Sequence, residues 1–196
     1  MELAPNYPVR SPRLSLRPLS AADKTALLAY RSRPDVCRYV PFTPMDTTII
    51  AERLGTVWSR TSMDDEGQNL TLGVEVTATG ELVGDVVLMW HSREHRGGEI
   101  GYVINPEFGG HGYATEAVHR LLGLAFDDLG LHRVIARVDA RNDASARLAR
   151  RLGMRTALFA GDRTSLQATA EQLKEPANRP DVLLTELSQI ADVVSS

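Results

Sequence analysis

Cysteine is nearly absent: Cys37 stands alone in 196 residues, which excludes an internal disulfide and any multi-cysteine metal site. Aromatic residues make up only 6%, too few for a base-stacking nucleic-acid surface, and the net charge of −3 argues against phosphate-backbone binding as the main task. Lysine is confined to Lys24 and Lys174, so the cations are almost all arginine, a skew that fits codon usage and carries no function. No apolar run approaches the roughly 18 residues that a membrane span needs. Charges and prolines occupy the first stretch of chain, where a signal peptide would need an apolar segment. The expectation is therefore a cytoplasmic protein with no nucleic-acid or membrane partner and one core across residues 1–196.

What is present is a regular succession of patterned segments. Residues 13–19 alternate apolar and polar as a half-buried strand closed by Pro18. Ser20 caps a predicted helix over 21–30, and a second helix is predicted over 46–60 with Ile49, Ile50, Leu54, Val57 and Trp58 on one face. Residues 70–76 and 81–89 read as two strands of a hairpin joined at Thr79-Gly80. Glu99 to Asn105 reads as a strand, residues 106–112 as a glycine-rich loop, and 113–129 as a helix with Ala114, Val118, Leu121, Leu122, Ala125, Phe126 and Leu129 inward. A strand at 132–138 follows, then a helix opened by Asn142 and stopped by Arg150-Arg151-Leu152-Gly153. Beyond Phe159 the pattern thins to a helical segment at 166–174 and a strand at 181–187.

Strand, tight glycine turn and helix form a unit with a chemical meaning. A helix N-terminus carries unpaired amides and a partial positive charge, and glycine lets an anion approach them closely. Gly109, Gly110, His111, Gly112, Tyr113, Ala114 and Thr115 place such a cradle at the entrance of an amphipathic helix, although glycines alone would equally serve a plain turn. Thr115 stands where the dinucleotide fingerprint needs its third glycine, and the Gly-Lys-Ser/Thr ending of the nucleotide P-loop is missing.

At this point the chain resembles the GNAT superfamily of N-acetyltransferases, whose pyrophosphate loop reads Gln/Arg-x-x-Gly-x-Gly/Ala; Gly109 replaces its first residue. Glu99-Ile-Gly-Tyr with the following Asn-Pro, Gly-His-Gly-Tyr-Ala-Thr-Glu-Ala at 110–117, Asn142-Asp-Ala-Ser145 and Arg151-Leu-Gly-Met154 resemble the RimJ and RimL branch of ribosomal-protein N-terminal acetyltransferases. The resemblance covers residues 11–155, while residues 160–196 diverge. It implies an α/β (α+β) fold: a mixed, mainly antiparallel sheet flanked by helices, with a V-shaped splay between two central strands. It also implies acetyl-CoA as co-substrate with no metal, an amine acceptor, and compatibility with a homodimer. By the same resemblance, Tyr102, Val103 and Ile104 offer backbone groups to the pantetheine arm and thioester, Asn142 bonds the pantetheine, and Ser145 protonates the leaving sulfur. Asn142 also suits a helix cap, and Ser145 a solvated first turn.

Acetyl transfer to an amine needs a base and an oxyanion-stabilising group but no covalent enzyme intermediate. Cys37, in a proline-rich loop without a neighbouring histidine, reads as a small packing residue. Glu99 is the preferred base, with Asp85, Glu116 and His111 as further candidates, and a salt bridge to arginine as the competing role for Glu99. Trp90 and His91 read as walls of an acceptor site, although a place in the core suits Trp90 equally. An α-amine, with a pKa of about 7.7 to 8.0, is easier to neutralise at pH 7 than a lysine at about 10.4. The expected acceptor is therefore a peptide or protein N-terminus; a small amine such as an aminoglycoside or polyamine, or a noncatalytic acyl-CoA-binding module, are the alternatives.

Overall fold

The computed structural model describes residues 1–155, 157–159 and 181–184. The chain divides into two compact units, Met1–Arg137 and Val138–Ser196.

The first unit is built on a six-stranded sheet in the order β1 (Val9–Arg10), β2 (Leu14–Pro18), β3 (Asn69–Val76), β4 (Leu82–Ser92), β5 (Gly97–Ile104) and β6 (Arg133–Ile135). The first five strands pair antiparallel and β5 with β6 in parallel, the mixed, mainly antiparallel sheet that the resemblance implied. The β3–β4 hairpin turns where Thr79-Gly80 directs it, with Gly80 in the left-handed region at φ +72°. The β5–β6 pair lasts only three residues, Gly97↔Arg133 to Glu99↔Ile135. Beyond Ile135 the chain leaves β5, so Glu99 stands at a fork. The predicted strand 132–138 is thus shortened to β6.

Two helices cover one sheet face. A single tight turn (Ala21–Asp23) leads into α1 (Lys24–Arg31), and the Asp23 carboxylate accepts from the Ser20 amide at 2.8 Å. α2 (Thr47–Leu54) starts from an Asp46 cap that accepts from the amides of Thr48 and Ile49. It ends well before the predicted residue 60, because Gly55 and Thr56 break the helical run before a separate turn at Val57–Ser59. The inward face is accordingly Ile50, Leu54 and Trp58, while Ile49 and Val57, predicted with them, are exposed. The buried set joins Leu19, Leu27, Tyr30, Met45, Leu82 and Val103 in one core.

α3 (Tyr113–Gly123) contacts β2, β4 and β5 and shares no residue with that core, so it covers the opposite face through Ala117, Val118 and Leu121. It continues into a π turn (Leu124–Asp128), where the Leu129 amide bonds the carbonyl of Leu124, five residues back. The extra residue rotates the following side chains out of the 3.6-residue period. Phe126, predicted inward, is therefore 41% exposed, whereas Ala125 and Leu129 stay buried.

In the second unit α4 (Asp143–Arg151) is followed by the parallel pair β7 (Ala157–Phe159) and β8 (Val182–Leu184). β8 falls within the predicted strand 181–187, β7 was not anticipated, and the predicted helix at 166–174 lies outside the described residues. Among the described residues no helix is long and apolar enough to cross a membrane.

Candidate active site

The glycine loop takes the form that an anion cradle requires. Gly110 and Gly112 have φ of +80° and +79°, the left-handed region that L side chains avoid, and a β carbon on Gly110 would meet nothing within 4 Å. The first intrahelical bond runs from Glu116 N to Gly112 O at 3.1 Å, so Tyr113, Ala114 and Thr115 have no acceptor within their own helix. Among the described residues, the amides of Gly110, His111 and Gly112 likewise have no backbone partner. Gly109 contributes differently: its amide donates to the Pro106 carbonyl at 3.0 Å, closing the tight turn Pro106–Phe108 before the cradle begins. These donors at a helix start fit a diphosphate, which is the anion coenzyme A carries.

A clasp from the start of β2 holds this loop. Glu116, in the first turn of α3, accepts from Ser11 Oγ at 2.8 Å, from the Arg13 amide at 2.8 Å and from Arg13 Nε at 2.7 Å. Arg13 Nη1 donates to the His111 carbonyl at 2.9 Å, and the same guanidinium lies over the Tyr113 ring, which stacks on His111. Burial pushes the Glu116 carboxyl up, but the bonds from Ser11 and Arg13 outweigh it and hold the group below its ordinary range. Glu116 and His111, both candidate bases from sequence, are thus engaged in shaping the loop.

The β4–β5 register gives the site its floor. Asp85↔Val103, Val87↔Gly101 and Met89↔Glu99 are paired, and alternation sets all six on the face that α1 covers, where Asp85 meets that helix. Val87, Met89 and Gly101 remain partly exposed, so the helices leave a strip of this face open between Asp85 and Glu99. Tyr102, Val103 and Ile104 follow on β5 toward the glycine loop, beyond the last residue that β6 pairs.

Each end of the strip carries a carboxylate bound to arginine. Asp85 is buried and accepts from Tyr30 Oη at 2.6 Å and from Nε and Nη2 of Arg31, whose guanidinium is packed over the rings of Phe42 and Trp58. Burial, and next the Asp85 charge, push the Tyr30 hydroxyl well above its ordinary range. Glu99 accepts from Arg137 Nε at 2.9 Å and Nη2 at 2.9 Å, and from His91 Nε2 at 3.0 Å. Alternation sets His91, two residues after Met89, on the Glu99 face, and the β4–β5 register slips between Trp90 and Ser92, leaving His91 as the unpaired residue of a bulge. Arg137 and the pairing of His91 with Glu99 are the participants that linear reading missed. They lie 38 and 8 residues from Glu99, and no spacing rule links such positions.

Asn142 is the cap of α4, its Oδ1 accepting from the Ser145 amide at 3.1 Å, so both occupy the start of a helix in the second unit. Cys37 Sγ donates to the Arg31 carbonyl and burial raises its thiol pKa, the opposite of what a nucleophile needs. Among the described residues, no group of three or more His, Cys, Asp or Glu is placed to hold a metal ion.

A family model described as an acetyltransferase (GNAT) domain matches residues 13–155. The chain is 32% identical over 141 residues to the uncharacterized N-acetyltransferase YoaA of Bacillus subtilis, covering 72% of this chain and 78% of the relative. It is 26% identical to the spermidine N(1)-acetyltransferase of Escherichia coli over 71% of this chain and 72% of that one. Among solved structures, a Vibrio cholerae protein provisionally assigned as a ribosomal-protein-serine acetyltransferase superposes with a TM-score of 0.64 at 26% identity, covering 82% of this chain and 90% of that protein. The amide cradle, the forked mixed sheet and these likenesses agree: the chain belongs to the GNAT family of acyl-CoA-dependent acetyltransferases.

Proposed function

We propose that the chain acetylates the α-amine of a peptide or protein N-terminus, with acetyl-CoA as donor and Glu99 at the centre of the proton path. One observation carries the choice of acceptor. Both carboxylates bordering the open strip are already bound to arginine, Asp85 to Arg31 and Glu99 to Arg137, so neither is left to bind a polycation. A polyamine would bring several ammonium groups to a rim that already holds the Arg137 cation. A peptide N-terminus brings one amine, and at an α-amine pKa of about 7.7 to 8.0 part of it is neutral at pH 7. An alkyl ammonium near 10.4 would first cost roughly 4 to 5 kcal/mol to deprotonate. The resemblance to the RimJ and RimL branch supports the same reading.

The amides of Gly110 to Thr115 would hold the diphosphate, and the bound coenzyme supplies an acetyl thioester for attack. The chain's own part is to orient the amine over Val87, Met89 and Gly101, and to take its proton at the Glu99 cluster. The roles of Asn142 and Ser145 toward the coenzyme rest on the resemblance.

The test is an acceptor screen with acetyl-CoA, measuring free thiol release with short peptides, spermidine and an aminoglycoside at pH 7. The expected result is a kcat/KM for the best peptide about tenfold or more above spermidine, the factor that 1.4 kcal/mol supplies. Preference for spermidine would overturn the acceptor assignment and favour the chemistry of the Escherichia coli relative.

A further inference from the structure

We infer that His91, not Glu99 itself, receives the proton of the attacking amine, and that Glu99 is the positioning residue behind it. This rests on the amine-acetylation reading above. It starts from an inventory of lone pairs. The Glu99 carboxylate is buried and takes three donors: Arg137 Nε on Oε1, and Arg137 Nη2 and His91 Nε2 on Oε2. An amine approaching Glu99 would have to displace one of them. His91 is the member of the cluster that faces outward, its side chain 47% exposed.

The contact also fixes the tautomer. A carboxylate only accepts, so the nitrogen 3.0 Å from Glu99 Oε2 must be the one that carries hydrogen: Nε2–H donates to Glu99. In neutral imidazole the other nitrogen, Nδ1, then has a free lone pair. A general base oriented through its far nitrogen by a carboxylate is a recurring catalytic arrangement, and here the carboxylate is itself held by Arg137. Alternation from Met89 sets His91 on the Glu99 face. The regular strand pairs Met89 with Glu99 and Trp90 with Gly98, and the slip that follows frees His91 from the ladder beside Glu99.

The amine lone pair forms the C–N bond to the thioester carbonyl, and the N–H proton passes to Nδ1 of His91. The C–S bond breaks with its electron pair on sulfur, which takes a proton from solvent. The resulting imidazolium keeps its Nε2–H bond to Glu99, whose charge stabilises it. Among the described residues, the charged groups against this imidazole are Glu99 on β5 and, behind it, Arg137 after β6.

The experiment compares wild type, His91→Gln, His91→Ala and Glu99→Gln with the best acceptor from the screen, over pH 6 to 10, with acetyl-CoA affinity measured by calorimetry in parallel. Both His91 variants should lose about 100-fold in kcat/KM near pH 7, within the range general-base removal produces, with coenzyme affinity unchanged. Their rate should recover at high pH as the amine deprotonates itself, and added imidazole should restore His91→Ala. Glu99→Gln can still accept the His91 Nε2–H bond, so it should lose about tenfold or less. A His91→Gln variant at wild-type rate beside a Glu99→Gln variant that has lost the larger factor would overturn the inference and return the base to Glu99. A His91→Ala loss that neither imidazole nor high pH restores would also overturn it, making His91 structural. If spermidine proves the better acceptor, the peptide assignment fails, while the same variants measured with spermidine still decide where the proton goes.

Discussion

Asp85 and Glu99 occupy the same face of the same sheet, each bound through two nitrogens of an arginine, yet they live in different surroundings. The Arg31 side chain is 7% exposed beneath Phe42 and Trp58, whereas that of Arg137 is 76% exposed. The sealed pair has no route to a substrate: its charges left water on folding, and each now depends on the other. The open pair keeps its arginine in water and adds a half-exposed histidine. One arrangement of atoms is thus sealed from water at one end of the strip and open to it at the other, and only the open one is accessible to a substrate.

Asp85→Ala tests the sealed pair most severely. It strands a buried guanidinium and the Tyr30 hydroxyl, and should destabilise the protein by about 3 to 5 kcal/mol in denaturant unfolding. A loss no greater than that of a surface change would mean that the sealed pair is not sealed.

An intermediate effect is expected from Glu116→Gln, which joins loop to strand under partial exposure. Because bonds from Ser11 and Arg13 depress the folded-state pKa of Glu116, its stabilisation is present above the unfolded carboxylate range and is lost as pH falls through the folded value. The variant should lie below wild type by about 1 to 2 kcal/mol near neutrality, the scale of charge-assisted hydrogen bonds, and converge with it in acid. Thermal unfolding from pH 7 down to pH 3 checks this; a constant offset across that range would detach the effect from Glu116 ionisation.

Arg137→Ala should be much milder for stability than Asp85→Ala, about 1 to 2 kcal/mol, since the guanidinium itself is exposed and the buried Glu99 carboxylate keeps its bond from His91. Its effect belongs in the rate, because Glu99 loses one of its two anchors. A large stability loss in the same unfolding assay would erase the distinction between the two pairs.

Much of this architecture is written locally in the chain. The strand, loop and helix from Glu99 to Gly123 were legible because glycine conformation, capping and 3.6-residue periodicity act over a few neighbours. Asn142 was readable as a cap for the same reason. The ion pairs were not: Arg31 and Asp85 are 54 positions apart, Arg13 and Glu116 are 103, and Arg137 and Glu99 are 38. Only strand register brings such partners together. Val57 and Phe126 were assigned inward by a period that a backbone break after Leu54 and the extra residue of the π turn interrupt. Ile49 lies within α2 itself, about 100° round the helix from Ile50 and off the face that Ile50 and Leu54 set.

The clasp between Arg13 and Glu116 has a consequence for how the molecule is made. It joins the start of β2 with a helix more than a hundred residues later in the chain. The Arg13 guanidinium must wait in water until α3 has been synthesised, although β2 itself can already pair with β3, and closing so long a loop is entropically costly before any contact repays it. The amide cradle is then completed late in biosynthesis, and a nascent chain halted before residue 116 has neither the helix start nor the carboxylate to which Arg13 fastens.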